Sequence, residues 1–171
     1  MANLPDVTGP QVRWPWVKVR KSKVTLTISL DYDGFQPAVR QWQGARQVFD
    51  PVRKRWVSLT PEEWVRQHLL FFLVQKCTYP SEAIAVEKTI QVGERTKRFD
   101  VLVYDAQHRP WLAVECKSTD VRLDSAVLHQ LLVYNQTLHV PYLAVVNGEQ
   151  AVLFQIVDGQ LASMVQFPAW G

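Results

Sequence analysis

The chain reads as one α/β domain built on a central mixed sheet, and three observations carry that reading. A well-capped helix opens the middle of the sequence. Three apolar strands follow it in succession. A second helix and a further strand come next, giving the order α-β-β-β-α-β with added strands toward both ends. At 171 residues, 47% hydrophobic and 20% charged, the chain has the length and composition to bury a core without metal or disulfide staples. No internal repeat, low-complexity tract or linker divides it.

Residues 1–16 hold Pro5, Gly9, Pro10 and Pro15 without periodicity, so a flexible or draped tail is expected there, with residues 17–171 forming the domain. "VKVRKSKVTLTISLDY", residues 17–32, alternates apolar and polar positions in the manner of one or two strands. Its Lys18, Arg20, Lys21 and Lys23 suit a charged sheet face, with a nucleic-acid contact as the alternative. "QVFDPVRKRWVSL" reads as a short hairpin turning at Asp50-Pro51. Thr60 as N-cap, Pro61 at the first helical position and Glu63 in a capping box then start a helix that runs through "EEWVRQHLLFFLVQK", with Trp64 among its periodic apolar positions. "TYPSE" ends it.

"AIAVEKTIQV" follows as a strand in which regular alternation puts Ile84, Val86, Ile90 and Val92 on one face and Glu87 on the other. After Gly93, strands at 99–104 and 111–116 form a hairpin around "DAQHRP". Asp124 caps a helix over residues 125–138, and "PYLAVV" is the next strand. "NG" and "DG" punctuate two closing strands, "AVLFQIV" and "LASMVQF".

The central hairpin carries charges that a core has no use for. Asp100 opens its first strand, and Glu115 and Lys117 straddle Cys116 at the end of the second. Period-two alternation puts Glu115 and Lys117 on one face, about 7 Å apart. Hairpin pairing brings Asp100 across from Glu115. Two such carboxylates suit a hard divalent cation, Mg²⁺ or Mn²⁺, with the Cys116 backbone carbonyl as a further oxygen ligand. A cation there would activate water and neutralise charge on a phosphodiester, while Lys117 would orient or deprotonate the water or hold a phosphate oxygen. The competing reading is a solvent-facing Glu–Lys pair at a strand end with Asp100 exposed.

The spacing D-x(14)-E-C-K in this element order resembles the PD-(D/E)XK nuclease superfamily, with Phe99-Asp100 standing where Pro-Asp is usual. Gln130 and Tyr134 in "QLLVY" fall on one helical face and resemble the Q-x-x-x-Y motif of its RecB-like and type I restriction branches. The run from "LTPEEWVRQHLLFFLV" through "VPYLAVVNG", within residues 47–157, is similar to the N-terminal domain of type I restriction enzyme R subunits in a short stand-alone form. The resemblance implies a restriction-endonuclease-like core flanked by helices and an endonuclease acting on DNA. Asp100, Glu115 and Lys117 would be catalytic, Gln130 and Tyr134 supporting, and Mg²⁺ or Mn²⁺ the cofactor. Glu63 and Glu87 are further acidic candidates, although capping accounts for Glu63 and a solvated strand position for Glu87. One alternative is an inactive nucleic-acid-binding or adaptor subunit. Another is a nuclease subunit of a larger restriction or repair complex, docking through its first 45 residues.

Other chemistries are absent. No P-loop is present, so neither a nucleotide cofactor nor an ATP-driven motor is expected; nucleophile elbow, dinucleotide fingerprint and zinc spacing are missing too. His68, His108, His129 and His139 are scattered and read as structural or surface residues. Cys77 and Cys116 make no disulfide framework, no signal-like start is seen, and the longest apolar run, "HLLFFLV", is far short of a membrane span, so a cytoplasmic protein is expected. A net charge of +3 permits an anionic partner. Lys88, Arg95, Lys97, Arg98 and Arg122 would make a basic rim, or else a solvated turn.

Overall fold

The computed structural model describes residues 27–92, 95–123, 135, 139–148 and 150–171. The expected tail at 1–16, the basic stretch before residue 27 and, apart from Asn135, the helix expected over 125–138 with Gln130 and Tyr134 lie outside the described residues.

The strands are β1 (Ile28–Ser29), β2 (Val39–Trp42), β3 (Ala45–Asp50), β4 (Arg55–Ser58), β5 (Ile84–Val92), β6 (Arg95–Tyr104), β7 (Pro110–Cys116), β8 (Tyr142–Val146), β9 (Gln150–Val157) and β10 (Gln160–Met164), with helix α1 at Pro61–Phe71. The architecture is mixed α/β. A seven-stranded sheet runs in the order β1-β9-β8-β7-β6-β5, with β10 also on β9, and β2-β3-β4 form a separate antiparallel sheet. Within the large sheet β7 and β8 pair in parallel, and its other pairs are antiparallel.

Local chemistry sets the boundaries. Thr60 Oγ1 accepts from the Glu63 N–H at 3.0 Å and Pro61 occupies the first turn, as expected of this N-terminus. After Phe71 the helix widens into one π-type turn, in which Cys77 N–H reaches the Phe72 carbonyl at 3.0 Å. Asp105 organises the β6–β7 hairpin by accepting from the Gln107 and Arg109 N–H groups at 2.9 and 2.8 Å. Strand β2 was not anticipated. It joins β3 through Gln43-Gly44, both at positive φ (48° and 79°), the backbone of a tight two-residue hairpin.

One side of the large sheet packs Val101, Val103, Leu112, Val114, Ala144, Val146 and Leu153 against Val65, Leu69, Leu70 and Leu73. The opposite side carries Phe99, Leu102, Ala113, Leu143 and Val145. Two expectations are corrected here. Trp64 is 38% exposed, and the buried face of α1 carries Glu63, Arg66 and Gln67 beside its leucines. Strand β5 does not alternate regularly either: Ile84 and Val86 belong to the α1 side, whereas Ile90 packs with the opposite cluster.

Leu69 is fully buried in this arrangement. Leu69→Ala is therefore expected to cost about 2–5 kcal/mol in urea unfolding. Trp64→Ala should cost no more than about 1 kcal/mol.

Candidate active site

Strands β6 and β7 are in register from Val101 opposite Val114, so the next pair outward is Asp100 and Glu115. There the backbone ladder gives way to a side chain. Asp100 Oδ2 accepts from the Cys116 N–H at 2.8 Å, taking the part a strand carbonyl would play. Strand β7 continues along β8, with Glu115 beside Val145 and Cys116 beside Val146, and the Lys117 N–H donates to the Val146 carbonyl at 2.8 Å. Asp100, Glu115 and Lys117 thus gather where β6 and β7 part, at the carboxyl ends of the parallel pair β7–β8, a usual ligand position in α/β folds.

What turns Asp100 toward α1 is an irregularity shared by two strands. Val86 pairs with Val101 and Lys88 with Phe99, leaving Glu87 and Asp100 as the couple skipped between them. Glu87 has φ of +53°, a left-handed conformation costing a non-glycine residue about 1–2 kcal/mol. Phe99 and Val101, two residues apart, consequently face opposite sides of the sheet, just as Ile90 and Val86 do. The expected placement of Glu87 on the face away from Ile84 and Val86 is overturned by this reset, since it joins an ion network on the α1 side.

The network is dense. Arg53 bonds Asp50, Glu63 and Glu87 at 2.5, 2.5 and 2.6 Å. Arg66 bonds Glu63 and, through Nη2, Asp100 Oδ1 at 2.8 Å. Gln67 Nε2 donates to Asp50 and Glu63 at 2.9 and 2.8 Å. Burial opposes the charge on Arg66, but the carboxylates of Asp100 and Glu63 hold its pKa above the ordinary arginine value. Glu63 is therefore no idle capping residue. Its N–H donates to the Thr60 cap, while its carboxylate is spent on Arg53, Arg66 and Gln67 rather than returning to Thr60.

Lys117 Nζ sits 2.8 Å from Glu115 Oε1, and the two side chains are only 18% and 16% exposed. That excludes the solvent-facing pair. Burial, then the charge of Asp100, push the Glu115 pKa up against the pull of Lys117. Burial works against the Lys117 charge, yet the hydrogen bond and charge of Glu115, with Asp100 and Glu62 adding, raise its pKa. Burial keeps the Cys116 thiol protonated.

The donor chemistry suits a hard cation: two mutually repelling carboxylates in register, with a backbone carbonyl beside them. Both oxygens of Asp100 are engaged, however, and among the described residues no three His, Cys, Asp or Glu side chains gather as a metal-holding group. A cavity of about 320 Å³ adjoins the network, lined by Arg53, Arg55, Glu62, Arg66, Glu87 and Arg98 among others. Another of about 540 Å³ lies between Trp64 and His68 of α1 and the Thr119, Asn147 and Gly148 loops. Gly148, at φ +106°, is required there because a Cβ would meet Thr119 Cγ2 at 2.8 Å. Arg53, Arg66 and Gln67 went unread in the sequence and Asp50 was read only as a turn residue; the one available signal was the 63/66/67 spacing that shares a helical face.

Fold and site together define a mixed α/β domain with an acid pair and a lysine at the open end of a parallel strand pair. Residues 61–168, well over half of the chain, match the family described as "Type I restriction enzyme R protein N terminus (HSDR_N)", and the chain belongs to that family. The match begins at α1 rather than near residue 47 as expected, so β1 to β4 precede it. No curated protein matches the chain. A solved fragment assigned to the HsdR subunit of a type I restriction enzyme from Vibrio vulnificus YJ016 is similar at a TM-score of 0.37 and 19% identity, over 50% of this chain and 19% of that one. No helix among the described residues is long and apolar enough to cross a membrane.

Removing one member of a buried pair strands its partner's charge, so Arg66→Ala is expected to lose about 3–5 kcal/mol of unfolding free energy. Arg66→Lys, which keeps the charge but not the fork, should fall between variant and wild type in the same urea titration. A second expectation concerns Glu115, whose folded pKa lies above its usual 4.5. The folded state then binds the proton more tightly, so stability falls as pH rises from 4.5 through the folded pKa. Glu115→Gln removes that loss and should gain on the wild type across this window in chelator-treated protein, the two converging below it.

Proposed function

We propose that this domain is a metal-dependent nuclease hydrolysing DNA phosphodiester bonds, built on a restriction-endonuclease-like α-β-β-β-α-β core within residues 17–171. The observation that carries it is the convergence at one strand fork of Asp100, Glu115 and Lys117, with Glu115 and Lys117 partly buried and 2.8 Å apart. Asp100, Glu115 and the Cys116 carbonyl would hold Mg²⁺ or Mn²⁺, which when bound supplies charge neutralisation and an acidified water. Lys117 positions the attacking water or a phosphate oxygen, and Arg66 with the Cys116 N–H fixes the carboxylate of Asp100. Gln130 and Tyr134 would support the phosphate side. Membership in an R-subunit family favours DNA and a cytoplasmic setting with further subunits of a restriction system.

A second reading, an inactive nucleic-acid-binding or adaptor subunit, is favoured by the two contacts that already engage both oxygens of Asp100. Supercoiled plasmid and single-stranded DNA, incubated with the protein and Mg²⁺ or Mn²⁺, separate the two. The nuclease reading expects cleavage abolished by EDTA and reduced at least about 100-fold in Asp100→Ala and in Lys117→Ala. DNA binding without cleavage supports the adaptor. Equal cleavage by wild type and both variants would expose a contaminant.

A further inference from the structure

The sheet β2-β3-β4 precedes the stretch matched to the family and has two unlike faces. Its inner face buries Val48 and Asp50, and the latter ties the sheet to α1 and β5 through Arg53 and Gln67. The pairing of Phe49 with Trp56, Arg40 with Gln47 and Trp42 with Ala45 puts Arg40, Trp42, Phe49 and Trp56 together on the outer face. These four flat groups form a diagonal stripe. The Arg40 guanidinium lies 5.1 Å from the Trp42 ring centre and 4.3 Å from that of Trp56, and Phe49 meets Trp56 edge-on at 5.5 Å. Trp42 is 53% and Phe49 37% exposed.

Such a stripe costs solubility and adds nothing to the core. Its charge surroundings point to an anionic partner. The outer face presents Arg40 and the exposed β3–β4 turn presents Lys54, while Asp50, the one acid of residues 39–58, lies on the inner face. Asp50 is spent inside on Arg53. Strand β4, at the edge of this sheet, also joins the face to the candidate site. Trp56 points outward, while its neighbours Arg55 and Val57 line the cavity shared with Glu62, Arg66 and Glu87.

We propose that the outer face of β2-β3-β4 binds single-stranded DNA, stacking unpaired bases on Trp42, Trp56 and Phe49 while Arg40 and, at the β3–β4 turn, Lys54 meet the phosphates. Every base has a π-face, so aromatic planes interleaved with a guanidinium serve a strand of any sequence, and a duplex keeps those faces inside its own stack. The choice of DNA as the polyanion rests on the nuclease reading, and the face would deliver a single strand along β4 to the fork at Asp100.

The test is fluorescence anisotropy of the full chain in EDTA, with a labelled oligothymidylate and a duplex of equal length. The oligothymidylate is expected to bind more tightly than the duplex. Trp42→Ala and Trp56→Ala should each weaken its binding about tenfold or more, Trp42→Phe should retain most of it, and duplex binding should barely move. A salt series should show the slope reduced in Lys54→Gln for both ligands. Unchanged oligothymidylate affinity in both alanine variants overturns the proposal, as does tighter binding of duplex. Sedimentation showing a wild-type dimer that Trp42→Ala converts to monomer would assign the face to a second copy of the chain, and an intact wild-type face covered by residues 1–26 would show as no binding at all; either result rejects it. Because the binding assay excludes metal, binding here with no cleavage in the metal-containing plasmid assay sinks the nuclease reading alone, and cleavage there with unaltered binding in the variants sinks the stacking face alone.

Discussion

The Arg66 guanidinium, held between Glu63 of its own helix and Asp100 of β6, is the contact on which this molecule is organised. A charge taken that far out of water is tolerated only when its partners are themselves fixed. Here they are fixed by different elements. Glu63 is anchored by the helix start and by Arg53, and Asp100 by the Cys116 N–H on the neighbouring strand. The pair therefore locks α1 to the sheet in one orientation, which the interchangeable packing of Leu69, Leu70 and Leu73 against valines would not do by itself. Buried ion pairs add little net stability over apolar replacements, so their value lies in this specification.

Arg53 extends the lock outward. Its three carboxylate partners come from β3, α1 and β5, so one planar cation ties the small sheet to both the helix and the large sheet. The consequence reaches the backbone. Glu87 occupies a left-handed conformation that favours glycine, and the return for that strain is a carboxylate turned onto the Arg53 side of the sheet, opposite Asp100 turned toward Arg66. The irregularity and the network are one device: neither strand could present its acid to α1 while keeping regular alternation.

This explains which parts of the molecule were legible in the sequence. Strands β5 to β9 were readable because apolar runs and turn residues record burial, and Asp100 opposite Glu115 follows from counting in twos from the hairpin. The same counting fails at Glu87, because nothing about a glutamate announces positive φ. Arg66 and Gln67 were passed over since charged residues at helical spacing normally mark a solvated face, and only tertiary partners reverse that meaning. Trp64 misled in the opposite sense. As the largest apolar residue of α1 it suggested the buried stripe, whereas the smaller Val65 and Leu69 fill it. Strand β2 was lost for want of apolar alternation, its outward positions being Arg40 and Trp42.

The short motif E-C-K has two physical meanings, and burial separates them. A solvent pair gains little from its partner and leaves both groups near their ordinary titration. Glu115 and Lys117 instead sit largely out of water, with Asp100 close enough to raise the pKa of both. For Glu115 that is an unfavourable position which Lys117 only partly relieves, since burial and a like charge together outweigh one hydrogen bond. A fold selected for stability alone would have no reason to keep a second acid beside Asp100, whose own charge is already matched by Arg66. An acid retained at a cost, on strand ends and beside a lysine, is the arrangement that binding or chemistry requires and packing does not.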